Sequence, residues 1–137
     1  MKLLLPSIIL TVLFVQLNLN AKPACDLDVY ITRHEPATQA LKRVIQKEEF
    51  VFIDFWAPWC GPCKRLKPII EDISKKEFDQ VNFIMIDSDK YPEIAQAYHV
   101  KGLPTCILFA QGKEVARFMG AKSSPQVKDF ISKNCKA

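Results

Sequence analysis

Cys60 and Cys63, separated by Gly61 and Pro62, carry the clearest chemistry in this 137-residue chain. A Cys-x-x-Cys pair placed where an apolar strand gives way to a helix is a redox device. The first turn of a helix offers unpaired N–H groups and a partial positive charge, and both stabilise a thiolate on Cys60. The thiolate is the form that attacks a disulfide. Cys63 lies one turn along on the same face, close enough to close a short ring. Cys60 can therefore form a mixed disulfide with a partner, and Cys63 can resolve it. Gly61 lets another backbone approach. Pro62 suits a first helical turn, where its missing N–H has no partner to lose.

Two other uses of this motif must be weighed. Cys-x-x-Cys is also half of a zinc site. The remaining candidate ligands are Cys25, His34, His99, Cys106 and Cys135, and none forms a second pair at zinc-like spacing. No metal and no cofactor is expected. The second use is an inert structural disulfide, against which the strand-to-helix setting argues. Asp54 stands out as the one acid inside the run FVFIDFW at residues 50–56. Burial there would raise its pKa, which suits a general base that takes the Cys63 proton. The alternative is an Asp at a strand end that reaches solvent or a backbone N–H.

Positioning these groups requires a particular order of elements. Residues 27–32 (LDVYIT) alternate and predict a strand. Pro36 opens a helix in which Ala37, Ala40, Leu41, Val44 and Ile45 share one face. Residues 50–56 read as a strand buried on both faces. Residues 64–77 read as a helix lined by Leu66, Ile69, Ile70 and Ile73, with Pro68 expected to kink it. A second buried strand follows at residues 81–86 and a short helix at 91–98. Strands at 105–110 and 114–119 are joined by Gln111-Gly112-Lys113. Ser124-Pro125 opens a last helix that turns Val127, Phe130 and Ile131 inward. The order is β-α-β-α-β-α-β-β-α. Alternating units predict parallel pairing and the terminal hairpin an antiparallel edge, in one mixed sheet flanked by helices.

Composition fits a single domain of this α/β class: 49% of residues are hydrophobic and 25% charged. The net charge of +4, from 19 basic and 15 acidic residues, is too thin and scattered for a nucleic-acid partner. The N-terminus reads as targeting. Met1-Lys2 is followed by the uncharged run LLLPSIILTVLFV at residues 3–15, then a polar turn and the small residue Ala21. This is the pattern of a signal peptide over residues 1–21, with residues 22–137 as the exported domain, periplasmic or secreted. An uncleaved membrane anchor is the alternative, but the run is shorter than the roughly 20 residues of a spanning helix and contains Pro6. A lipidated Cys25 is a third reading, disfavoured by Lys22 three positions earlier. Export carries five cysteines, an odd number, into a disulfide-permissive space.

The segment DFWAPWCGPCK (residues 54–64) resembles the active site of the thioredoxin family. KGLPT (residues 101–105) resembles that family's second signature, and Gly120 falls where the family has a Gly before its last helix. The resemblance spans residues 37 to the C-terminus. It implies a thioredoxin fold with Cys60 as nucleophile and Cys63 as resolving thiol. Pro104 would be cis and turn the backbone of Leu103 toward a substrate peptide. Trp59, Gly61, Pro62, Gly102, Leu103, Pro104 and Gly120 would form the docking surface, and Asp54 the buried carboxylate behind Cys63. The Gly-Pro insert matches the reducing branch; oxidants and isomerases usually carry His before the second Cys. Many members have a Lys near the buried Asp where this chain has Met85.

Three cysteines fall outside the motif. Cys106 lies in the apolar TCILF and is expected to pack as a small free thiol. Cys25 and Cys135 sit near the two ends and are a candidate structural disulfide, with free or intermolecular thiols as the alternative. His34 and His99 read as lone surface or packing residues. Lys64, Arg65 and Lys67 read as a solvated helix face. The expected activity is thiol–disulfide exchange by a monomer. Its partners would be protein disulfides and an upstream membrane or extracytoplasmic electron donor. An oxidant or isomerase, or a binding module without turnover, are the rival readings.

Overall fold

A computed structural model describes residues 22–136. The expected signal segment lies outside the described residues. Five strands form one sheet: β1 (Cys25–Asp26), β2 (Phe50–Trp56), β3 (Val81–Asp87), β4 (Thr105–Ala110) and β5 (Lys113–Met119). Four helices cover it: α1 (Ala37–Lys47), α2 (Gly61–Lys76), α3 (Pro92–Ala97) and α4 (Ser124–Asn134). The strand order is β1-β3-β2-β4-β5, so β2, which leads into the cysteine motif, lies at the centre. It pairs parallel with β3 and antiparallel with β4.

The antiparallel direction therefore begins at β4, one pairing earlier than the alternation of elements suggests. The reason is the size of α3. Its six residues span about 9 Å, against roughly 23 Å for a seven-residue strand. So short a helix does not carry the chain back along the sheet. The chain re-enters at the end it has just left, and Phe55 of β2 stands opposite Thr105 at the start of β4. That return brings residues 101–104 to the same end of the sheet as the cysteine motif.

Alternation along β2 divides the core in two. Val51, Ile53 and Phe55 face α1 and α3, where they meet Leu41, Val44, Ile45 and Ile94. Phe50 and Phe52 face α2 and α4, where they meet Leu66, Ile70, Ile73, Val127 and Ile131. Asp54 follows Phe52 onto this second face.

The first strand differs most from the sequence reading. Only Cys25 and Asp26 pair with β3, and Leu27–Tyr30 forms a 3₁₀ helix. Side-chain bonds outweigh strand propensity there. Asp28 binds Lys90 and Tyr91, and Tyr30 reaches across to Asn82. Arg43 of α1 donates to the Tyr30 carbonyl oxygen at 2.8 Å. Helix α2 starts at Gly61, earlier than its apolar stripe indicates, so Cys63 lies inside its first turn, and Pro68 falls within the same helix. The hairpin turn narrows to Gln111 and Gly112, both at positive φ (48° and 83°), the hand that matches twisted strands.

Candidate active site

The sequence folds Cys60 into the cap position of α2. Its backbone N–H donates to the Ala57 carbonyl oxygen at 3.1 Å, closing the turn after β2. Its Sγ accepts from the Cys63 N–H at 3.3 Å, so the sulfur already sits on an orphan donor of the helix. A negative charge that develops on Cys60 is met by this N–H and the helix dipole. Cys60 and Cys63 form a disulfide with Cα atoms 5.3 Å apart. Both residues are nearly buried, Cys63 more deeply than Cys60.

The second expected motif faces the first. The Leu103–Pro104 peptide is cis. Leu103 packs on a small cluster made by Ala57, Cys60, Cys63 and Trp56. The flanking loop is pinned on both sides of Leu103. The Thr105 hydroxyl donates to the Gly102 carbonyl oxygen at 2.6 Å, and the Gly120 N–H donates to the Pro104 carbonyl oxygen at 2.8 Å. Leu103's own N–H and C=O enter none of these loop bonds, so its backbone edge is open to an extended peptide. Gly120 holds φ +90°, which explains a glycine at this place.

Around the disulfide the surface is apolar and open. Trp59 is 69% exposed, and its indole N–H donates to Asp89 at 2.9 Å. A Cβ on Gly61 would meet nothing within 4 Å. Met119 is 65% exposed and lies over Gly102, where a Cβ would come 2.8 Å from its sulfur. Trp59, Gly61 and Pro62 thus belong to one rim of the site, and Gly102, Leu103, Pro104 and Gly120 to the other. Met119 and Asp89 were not among the residues singled out from sequence. Met119 follows from the β4–β5 register, which sets it beside Thr105.

Asp54 is fully buried. Burial pushes its carboxyl up to about 7, opposed by a hydrogen bond from Cys106 and by the charge of Lys67. That choice between a buried base and a solvent-reaching acid is settled for burial. Met85 stands beside it in register on β3, as counting back from residues 101–105 implies, and brings no charge. The cation comes from α2 instead. Lys67 lies one turn beyond Cys63 on the same helix face. Its Nζ sits 4.6 Å from the centre of the Trp56 ring. Lys67 is therefore more than a solvated surface residue.

The Cys25–Cys135 pairing is not formed. Both are free thiols, and the sheet lies between them. Cys25 donates to the Tyr30 hydroxyl at 3.3 Å on the α1 side, beside Ile84. Cys135 packs on the α2–α4 cluster. Strand alternation, unseen when only sequence ends are compared, separates them.

A helix-capping dithiol, an opposing cis-proline loop and a buried carboxylate together define a thiol–disulfide exchange protein. The thioredoxin family model matches residues 33–133. The chain is 39% identical over 95 residues to thioredoxin of Buchnera aphidicola subsp. Schizaphis graminum, covering 69% of this chain and 88% of that one. It is 42% identical over 79 residues to the bifunctional thioredoxin reductase/thioredoxin of Mycobacterium leprae, covering 58% of this chain and 17% of that protein. Thioredoxin NaTrxh from Nicotiana alata superposes with a TM-score of 0.70 at 32% identity, covering 84% of this chain and 95% of that one. The chain belongs to the thioredoxin family, whose members are thiol–disulfide oxidoreductases.

Proposed function

We propose that this protein is an exported protein-disulfide reductase. The observation that carries the reading is the Cys60–Cys63 couple capping α2 beneath an open Leu103 backbone edge. In the reduced protein the Cys60 thiolate attacks one sulfur of a substrate disulfide. A Cys60–substrate bond forms, the substrate S–S bond breaks, and the other substrate sulfur leaves as thiolate and takes a proton. Cys63 then passes its proton to the Asp54 carboxylate. Its sulfur attacks Cys60, and the second substrate thiolate leaves. Two electrons pass to the substrate, and the Cys60–Cys63 disulfide remains. The Gly-Pro insert between the cysteines supports the reducing direction.

Return to the dithiol needs a donor of two electrons. The M. leprae relative joins thioredoxin and thioredoxin reductase in one name, which supports a reductase-type donor for this chain too. Outside the cytoplasm that donor would be membrane-bound or extracytoplasmic. The run at residues 3–15 supports export.

Insulin reduction with dithiothreitol tests the activity. Wild type should accelerate precipitation and Cys60→Ser should abolish the effect. No acceleration by a protein with both cysteines accessible would make the chain a binding module. A Cys63→Ala variant should capture both substrates and the donor as mixed disulfides. Export is tested by producing the full chain in a bacterium. The expected product is an extracytoplasmic protein that starts near residue 22; an uncleaved chain in the membrane fraction would mean an anchor.

A further inference from the structure

The mechanism above leaves Cys106 without a role, although its contact is the one hydrogen bond that the Asp54 side chain makes among the described residues. We propose that Cys106 is a positioning residue: its S–H holds Oδ1 of Asp54 and leaves Oδ2 as the oxygen that takes the Cys63 proton. The inference rests on the reductase reading and adds a residue to it.

Geometry carries the assignment. The β2–β4 ladder sets Cys106 directly opposite Asp54, and its Sγ donates to Oδ1 at 3.5 Å. Both residues are fully buried. Oδ2 is buried too and has no hydrogen-bond partner among the described residues. A carboxylate in such a place is costly unless each oxygen has a task. Few other groups compete for it. Across β3 stands Met85, which neither donates nor titrates. From α2 come Lys67, acting at longer range, and the stripe that carries Cys63. Val127 and Ile131 of α4 are apolar, and Phe118 of β5 stands beyond Cys106. Lys122, before α4, acts on Cys106 itself.

A thiol suits the task for two reasons. It is a weak donor, so it steadies the carboxylate without holding it ionised as a contacting ammonium would. Burial and the neighbouring Asp54 also push the Cys106 thiol well above its ordinary range, so it stays protonated while Asp54 titrates. The proton of the S–H remains on sulfur throughout, and Asp54 alone cycles.

The test reads Asp54 directly. The carboxyl carbon of Asp54 is titrated by NMR in the reduced protein, and the pH profile of mixed-disulfide release is measured in parallel. Wild type, Cys106→Ala and Cys106→Ser are compared. Removing the donor should raise both midpoints by about half a pH unit or more. The hydroxyl of Cys106→Ser should return both to the wild-type value or below. If Cys106→Ala does not fold, Cys106→Val fills the same space without a donor and should show the same rise. Unchanged midpoints in the donor-free variant overturn the proposal, as does an equal shift in the Ser and Ala variants. A carboxyl midpoint that moves while the release profile stays fixed overturns the link to resolution. Should wild type fail to reduce insulin, the reductase reading falls, and the carboxyl titration still reports the contact separately.

Discussion

Asp54 shows what a single residue costs and what it supplies. An unfolded Asp ionises near 3.8, whereas burial holds this one near 7. Between those values the native state keeps a proton that the unfolded chain has lost, so stability falls as pH rises through that window. Asp54→Asn removes the penalty. The variant should be more stable than wild type at about pH 8, by up to about 4 kcal/mol, and the gap should close toward about pH 4. Urea unfolding at the two pH values measures it, and an equal gap at both would refute the buried ionisation. The same variant should release mixed disulfides more slowly at neutral pH. Cys60, Cys63 and Asp54 were legible in the sequence because their oddity is local: a spaced thiol pair and one acid in an apolar run. Cys106 and Lys67 were not. Their meeting with Asp54 depends on strand register across 52 residues and on one helix packing over a sheet.

At the scale of elements, the two ends of β4–β5 separate stability from function. Gly112 sits at the distal turn with φ +83°. Gly112→Ala should cost about 1 kcal/mol and lower Tm, while kcat/KM for insulin reduction stays unchanged. Gly120, with φ +90°, sits at the active end and donates to the Pro104 carbonyl oxygen. Gly120→Ala should cost a similar amount and also reduce kcat/KM, because it moves the loop proposed to receive substrate. Equal kinetics for the two variants would break this assignment. Strands β2 to β5 and all four helices could be read from period and turn residues. The first strand could not, since Asp28, Tyr30 and Arg43 redirect it through side-chain bonds to distant partners. Nor was the direction of β4 legible, because it follows from how far a six-residue helix can carry the chain.

At the scale of the molecule, five cysteines resolve into one redox couple and three free thiols. The oxidised protein should titrate three thiols in denaturant and show no Cys25–Cys135 peptide by mass spectrometry; a single thiol would restore the terminal clasp. Native Cys106 should resist thiol reagents, being fully buried. The sheet explains both, since it places Cys25 and Cys135 on opposite faces and seals Cys106 between β2 and β5. The proposed export, read from the apolar run at residues 3–15, would place the domain where a reductant must be recharged from elsewhere. The direction of electron flow is the central claim, and the equilibrium potential of the Cys60–Cys63 couple against glutathione or dithiothreitol tests it most directly. A value near about −270 mV, as in thioredoxin-type reductants, is the expected result; one near about −120 mV would make the protein an oxidant and contradict the account.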